Sequence, residues 1–130
     1  RVSRQSSNAG TIAAALESNE GFKRVYYPGL ENHPGHAIAA QQMSGFGGML
    51  SFELADHIEP LAYLRRLKMV NCAISLGGVE TTICQPVATS HQKMSEKERQ
   101  RLGITGGLLR LSVGIEDAGD ILDDLLQALA

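Results

Sequence analysis

The stretch GLLRLSVGIEDAGDILDDLLQAL, residues 107–129, carries the clearest secondary-structure pattern of the chain, a short apolar run followed by an amphipathic one. The run 108–113 is typical of a strand. Asp117 and Asp120 stand where an N-cap and the first turn of a helix belong. Beyond them, apolar residues recur at helical spacing: Ile121, Leu122, Leu125, Leu126 and Leu129. This stretch therefore predicts a strand followed by an amphipathic helix.

The sequence before this stretch alternates between helix-like and strand-like segments. The patterns predict helices over 1–19, 36–43, 58–68 and 95–102, and strands over 24–27, 49–54, 70–76 and 79–87. Gly77-Gly78 separates the last two of these strands and fits a tight reversal, which predicts a hairpin. We therefore expect a single domain over residues 1–130. Its fold class is α+β, with a mostly antiparallel sheet of four or five strands and helices on one face.

The composition narrows the class of protein. A chain of 130 residues that is 43% hydrophobic and 20% charged is typical of one globular domain. No apolar stretch approaches the ~20 residues of a membrane-spanning helix, and no secretory signal is visible. The formal net charge of −2 argues against nucleic acid as a partner. With only two cysteines, Cys72 and Cys84, a cytoplasmic location is expected.

The residues alone form no complete catalytic or metal-binding constellation. His33 and His36 have a spacing found in metal sites, but Pro34 and Gly35 between them indicate a turn, so no metal site is expected. The two cysteines are expected to be buried free thiols. The glycine-rich run 45–48 lacks the Lys-Ser/Thr ending of a phosphate loop and leads into a strand, which indicates a simple turn.

Arg110 is the one residue that the pattern marks as unusual. It interrupts an otherwise apolar strand, where burying a guanidinium is costly unless an anion meets it. Two interpretations remain open at this point. Strand alternation can place Arg110 on the solvent face, or the guanidinium can act as a bidentate clamp for a carboxylate or a phosphate.

An ordered set of short motifs resembles a known family. The motifs are NA at 8–9, YPGL at 27–30, HP at 33–34, QM at 42–43, GFGGM at 45–49, SLGGVE at 75–80, Pro86, SH at 90–91, GI at 103–104 and GLLRLSVGIED at 107–117. Together they resemble the C-terminal domain of the cystathionine/methionine γ-lyase family, the pyridoxal-phosphate (PLP) enzymes of transsulfuration. The resemblance runs along almost the whole chain, and it implies the same α+β fold.

The resemblance implies roles for several residues. Arg110, in the Arg-Leu-Ser-Val-Gly motif, matches the residue that binds the substrate α-carboxylate. Ser75 and Leu76 match residues that line the same pocket. Ser90 stands where the family usually has threonine, and its hydroxyl would help to hold the substrate. Ile74 stands where relatives that handle cystathionine commonly have glutamate, and an aliphatic side chain suits an uncharged thioether.

The resemblance also implies what this chain lacks. The family's Schiff-base lysine follows a Ser-x-Thr sequence, and none of the four lysines here has that context: Lys23, Lys68, Lys93 and Lys97. No catalytic or cofactor-binding residue is therefore expected in these 130 residues, and the chain alone is expected to be inactive. Its implied partners are the large PLP-binding domain of the same enzyme, a sulfur-containing amino acid and, in the full-length protein, the other subunits of a homotetramer.

The interpretation closest to this sequence is a methionine γ-lyase, which converts methionine to methanethiol, 2-oxobutanoate and ammonia. Within the family, cystathionine γ-synthase, cystathionine γ-lyase and O-acyl-homoserine sulfhydrylase remain alternatives. A third class also stays open. The apolar stripe of the last helix would equally serve a non-catalytic interaction module.

Overall fold

The fold is built on a mixed β-sheet. The computed structural model describes residues 1–88, 94–102 and 104–130. Over these residues the strands are β1 Phe22–Tyr26, β2 Met49–Leu54, β3 Asn71–Cys72, β4 Thr82–Cys84 and β5 Leu108–Ser112. They form one sheet in the order β1-β2-β5-β4-β3. The last strand of the sequence therefore lies at the centre of the sheet.

Helices alternate with these strands along the chain except between β3 and β4, which a loop connects. They are α1 Val2–Glu17, α2 His36–Gln42, α3 Pro60–Arg66, α4 Glu96–Arg101 and α5 Ala118–Gln127. Local capping explains where two of them begin. The Asp117 carboxylate accepts a hydrogen bond from the Asp120 N–H at 3.1 Å, which confirms the predicted N-cap of α5. The Glu59 carboxylate accepts from the Ala62 N–H at 2.7 Å at the start of α3.

Strand pairing is mostly antiparallel, which confirms the predicted fold class. Among the described strands, β1–β2, β2–β5 and β4–β5 pair antiparallel. The pair β3–β4 is parallel, with Asn71 beside Thr82 and Cys72 beside Ile83. The predicted hairpin at Gly77-Gly78 is therefore wrong, because a hairpin joins antiparallel strands. The two strands are also shorter than the predicted 70–76 and 79–87.

The glycine pair lies in a loop because its backbone bonds to other elements. Gly77 has a φ of +76°, which suits a reversal. Its N–H, however, donates to the Ser112 hydroxyl on β5 at 2.8 Å. The Gly78 carbonyl accepts from the Gln5 side-chain amide on α1 at 2.7 Å. Residues 73–81 therefore form an open connection, named here the β3–β4 loop.

The hydrophobic core lies on one face of the sheet. Side chains of β2, β4 and β5 pack there against α1, α3 and α5, and the largest contributors are fully buried: Ile12, Leu16, Phe52, Tyr63, Ile83, Leu109, Leu111, Ile121 and Leu125. The Tyr63 hydroxyl donates to the Leu125 carbonyl at 2.8 Å, which ties α3 to α5. These three helices lie on one face, as predicted. Strand residues whose side chains do not point into the core lie on the opposite face.

Within the described ranges, no helix combines the length and apolar character needed to cross a bilayer.

The histidines and cysteines lie in local structural roles. His33 Nδ1 accepts from the Gly35 N–H at 2.9 Å, and His36 Nδ1 lies 2.7 Å from the Pro28 carbonyl, so both rings close turns. Cys84 is a buried free thiol, as predicted. The prediction is wrong for Cys72, which is exposed because it lies on the edge strand β3.

Candidate functional site

Arg110 lies at the centre of the sheet on the face opposite the core. It belongs to β5 and pairs with Ser51 of β2 on one side and Cys84 of β4 on the other. Its neighbours Leu109 and Leu111 point into the core and are fully buried. Because successive side chains of a strand alternate between faces, the Arg110 side chain points the other way. It is half-buried there. Strand alternation therefore accounts for its placement away from the core, and the carboxylate clamp stays a prediction.

The guanidinium of Arg110 is only partly satisfied. Its Nη2 donates to the Ile74 carbonyl at 2.8 Å. Its Nε is buried and has no hydrogen-bond partner within the described residues. A buried N–H of a charged group that lacks an acceptor is costly. A carboxylate that approached this edge of the guanidinium would supply the acceptor, and such pairs are commonly bidentate.

The β3–β4 loop places the other candidate residues beside Arg110. Ile74 contacts the guanidinium through its carbonyl, and Ser75 and Leu76 follow it directly in the loop. The Ile74 and Leu76 side chains are 67% and 60% exposed. The Ser75 carbonyl accepts from the Thr82 hydroxyl at 2.9 Å. The structure therefore brings Ile74 into contact with Arg110. Ser75 and Leu76 are its neighbours in the loop, and their role at the site stays a prediction, whereas Ser90 lies outside the described residues.

Polar side chains elsewhere in the fold hold this loop, and the sequence did not single them out. Ser112 accepts from the Gly77 N–H at 2.8 Å, and Gln5 donates to the Gly78 carbonyl at 2.7 Å. Ser112 follows Arg110 by two residues, so strand alternation was a usable signal for it. Gln5 is 73 residues from its partner. No local pattern identifies a contact of that range.

A second polar cluster fixes the end of the loop that enters β4. The Glu116 carboxylate accepts from the Thr81 N–H at 2.8 Å and from the Thr81 hydroxyl at 2.7 Å. The Asn8 side-chain amide donates to the Glu116 carbonyl at 2.7 Å. At Gly114 a Cβ would lie 2.1 Å from the Val79 carbonyl oxygen, so no side chain fits there. The cluster thus joins α1, the loop and the connection from β5 to α5.

The glycine-rich turn at 45–48 superficially resembles a phosphate-binding loop, and PLP, the cofactor implied by the resemblance, carries a phosphate. A phosphate group at such a turn needs free N–H donors. There, the Phe46 and Gly47 N–H groups both donate to the Ser6 hydroxyl at 3.2 Å. Lys23 forms an ion pair with Asp56 at 3.3 Å. This turn therefore does not fit the phosphate of the cofactor, whereas the partly satisfied guanidinium of Arg110 suits a carboxylate.

Comparisons with known proteins show the family of this chain. Residues 1–130 match the family described as Cys/Met metabolism PLP-dependent enzyme. A cystathionine beta-lyase of Lactococcus lactis subsp. cremoris is 46% identical over 129 residues, which cover 99% of this chain and 34% of that protein. An L-methionine gamma-lyase of Fusobacterium nucleatum subsp. polymorphum is 46% identical over 130 residues, which cover 99% of this chain and 33% of that protein.

A solved structure extends the match to three dimensions. A cystathionine gamma synthase from Xanthomonas oryzae pv. oryzae, in complex with cystathionine, superimposes with a TM-score of 0.93 at 45% identity. The match covers 99% of this chain and 34% of that one. The chain thus spans about a third of the length of the relatives that it matches. The resemblance suggested by the sequence motifs is confirmed, and the chain belongs to the Cys/Met metabolism family of PLP-dependent enzymes.

Proposed function

We propose that this chain is the C-terminal, substrate-binding domain of a PLP-dependent carbon–sulfur lyase, and that Arg110 holds the α-carboxylate of the amino-acid substrate. The observation that carries the proposal is the half-buried guanidinium, whose Nε has no partner within the described residues. A substrate carboxylate supplies the acceptor that this edge lacks. The charge-assisted bonds would be stronger than neutral ones because both groups are ionised.

The part played by this chain is binding and orientation. PLP, when bound to the full-length enzyme, supplies the electron sink for the reaction. Arg110 fixes one end of the substrate and Ser75 and Leu76 border it, while Ser90 is proposed to add a hydroxyl. Correct orientation of a bound substrate is worth several kcal/mol of a reaction barrier. The remainder of the enzyme, assembled as a homotetramer, supplies the reactive lysine.

The substrate favoured by this site is methionine. Relatives named for cystathionine match the chain at 42–48% identity and relatives named for methionine at 46%, so identity does not separate the two and the argument rests on Ile74. Its side chain is 67% exposed, and its carbonyl contacts the guanidinium that would hold the substrate. An aliphatic side chain at this place offers no countercharge to the distal ammonium group of cystathionine, and it is compatible with the uncharged thioether of methionine.

The first test replaces the proposed carboxylate handle in the full-length holoenzyme. Arg110→Gln removes the charge, and we expect KM for methionine to rise about 10- to 100-fold, the equivalent of losing a hydrogen bond to a charged group. Steady-state kinetics and the dissociation constant of a carboxylate-bearing competitor measure the effect. Arg24→Gln is the matched control, because Arg24 is an exposed arginine on β1 of the same sheet. An unchanged KM in Arg110→Gln would refute the proposal and favour a non-catalytic interaction module.

The second test addresses the substrate. Ile74→Glu adds a carboxylate beside the site, and we expect the kcat/KM ratio of cystathionine to methionine to rise about fivefold, as one weak ion pair would give. Ile38→Glu serves as the control, because Ile38 is 61% exposed on α2 and no contact links it to Arg110 within the described residues. If the unmodified enzyme already prefers cystathionine by a wide margin, the assignment of methionine is wrong and a cystathionine enzyme replaces it.

A further inference from the structure

The β3–β4 loop has little packing of its own. Ile74, Leu76 and Val79 are 67%, 60% and 43% exposed, so burial of their side chains does not fix the path of the loop. A segment with few buried apolar contacts opens easily unless its backbone is held. The position of the Ile74 carbonyl beside Arg110 therefore depends on hydrogen bonds to the loop backbone.

These hydrogen bonds divide into two groups. At the ends of the loop, the Ala73 N–H donates to the Ile83 carbonyl at 3.0 Å and the Ile115 N–H to the Val79 carbonyl at 2.9 Å, and the Glu116 carboxylate described above holds Thr81. The middle is held by side chains. Ser112 accepts from the Gly77 N–H at 2.8 Å, and Gln5 donates to the Gly78 carbonyl at 2.7 Å. Helix α1 thus contacts the loop at its glycine pair.

The geometry of Gln5 suits it to hold this contact. Gln5 is only 7% exposed, although its side chain is polar. A Cβ on Gly48 would lie 3.1 Å from the Gln5 Cβ, so α1 lies close against the backbone that enters β2. From this fixed base the amide nitrogen reaches the Gly78 carbonyl at 2.7 Å and the Gly77 carbonyl at a longer 3.4 Å. A primary amide has two N–H donors, so it can serve both carbonyls.

We propose that Gln5 is a positioning residue for the carboxylate site, acting through the β3–β4 loop on Arg110. This inference rests on the proposed function of Arg110. The Gln5 amide holds the glycine pair, and the three residues before that pair then place the Ile74 carbonyl against Arg110 Nη2. That contact engages Nη2 and leaves the buried Nε without a partner among the described residues. Without the amide, the glycine pair loses its contact with α1, and the Ile74 carbonyl holds the guanidinium less firmly in one orientation.

The test uses two variants of the full-length holoenzyme. Gln5→Met keeps most of the side-chain volume and removes the donor, whereas Gln5→Glu keeps the shape and places carboxylate oxygens against carbonyl oxygens. The ligands are a substrate-like amino acid and the amine that lacks its carboxylate. We expect Gln5→Met to weaken binding of the amino acid about three- to tenfold, the size of one lost hydrogen bond, and Gln5→Glu to weaken it more. Binding of the amine changes by less than about twofold.

Two further readouts separate positioning from a general loss of structure. Hydrogen–deuterium exchange of the peptide that contains residues 73–81 becomes faster in both Gln5 variants, while PLP occupancy stays unchanged. KM rises and kcat stays near its original value. Ile12→Val is the matched control, because Ile12 is fully buried on α1 but belongs to the core and not to the loop contact. Ile12→Val should leave amino-acid binding and the exchange of the loop unchanged.

The outcomes distinguish this inference from the proposed function. In an Arg110→Gln background, Gln5→Met should cause no additional loss of amino-acid binding, because the two residues act on the same carboxylate. Equal weakening of the amino acid and the amine, or no weakening of either, would overturn the positioning role alone, provided that Arg110→Gln weakens the amino acid. If Arg110→Gln leaves amino-acid binding unchanged, both proposals fail.

Discussion

Single residues show how far sequence patterns reach. A charge inside an apolar strand is enough to mark Arg110 as unusual from the sequence alone. Alternation along β5 also accounts for its position on the face opposite the core. The unpartnered Nε and the contact with Ile74 are tertiary features, and the sequence could not predict them. The same holds for Gln5, because its partner lies 73 residues away.

Asp124 is another residue whose importance appears only in three dimensions. Its buried carboxylate accepts hydrogen bonds from the N–H groups of Lys68, Met69 and Val70 at 2.8–2.9 Å and from the Gln127 side chain at 2.9 Å. Burial by itself would raise its pKa, but the four hydrogen bonds outweigh burial and lower the pKa below the usual value for aspartate. The ionised carboxylate therefore stabilises the chain segment that leads into β3.

We expect the stabilisation by Asp124 to depend on pH. Because the pKa of Asp124 is lower in the folded than in the unfolded protein, its contribution is present above the unfolded value of about 4 and is lost as pH falls through the folded value. Asp124→Asn should lower the free energy of unfolding by about 2–4 kcal/mol at pH 7 and by much less at pH 2–3. Urea unfolding at the two pH values measures this.

Asp123→Asn is the control for this prediction, because Asp123 is exposed and precedes Asp124 on α5. The control should change stability by less than about 0.5 kcal/mol at either pH. Equal destabilisation by Asp124→Asn at pH 7 and at pH 2–3 would show that the charge of Asp124 is not what holds the segment.

At the scale of elements, periodic patterns predicted the long segments well. Helices α1 and α5 and strands β2 and β5 lie within a few residues of their predicted bounds, because each repeats apolar residues with the period of its structure. Helix α3 is shorter than the predicted 58–68, since Pro60 stands in its first turn and Glu59 caps it from outside.

Strands β3 and β4 lie inside the predicted segments 70–76 and 79–87, but their short extents and their parallel pairing were not predicted, for a physical reason. Only two or three residues of each pair in the sheet, which is too short for an alternating pattern to appear. Their parallel pairing follows from tertiary anchors at the two ends of the connection. Asp124 holds the residues before β3, and Glu116 holds Thr81 before β4. Such anchors lie far away in the sequence, so local patterns do not reveal them.

At the scale of the whole molecule, the two faces of the sheet have different roles. The core and helices α1, α3 and α5 occupy one face, and Arg110 lies on the other. The fold class and the family could be predicted because their motifs are distributed over almost the entire chain. The prediction of the substrate rests on a single side chain, Ile74, and not on motifs distributed along the chain.

We expect the isolated 130-residue chain to lack lyase activity even with added PLP and methionine. None of its lysines follows the Ser-x-Thr sequence that precedes the family's Schiff-base lysine, and Lys23 is already paired with Asp56. Assays for release of 2-oxobutanoate and of methanethiol measure this, with the full-length enzyme as the positive control. Turnover by the isolated chain above a PLP-only blank would contradict the proposal that the reactive lysine lies outside these 130 residues.

The β3–β4 loop has a consequence for how the sequence of this domain can vary. Its backbone is fixed by Gln5, Thr82 and Ser112, while its own apolar side chains point outward and support no core. Mutational drift at positions 74, 76 and 79 therefore incurs little folding penalty. Substitutions at these three positions can therefore change the side chains that the loop presents, while the hydrogen bonds that hold its backbone are kept.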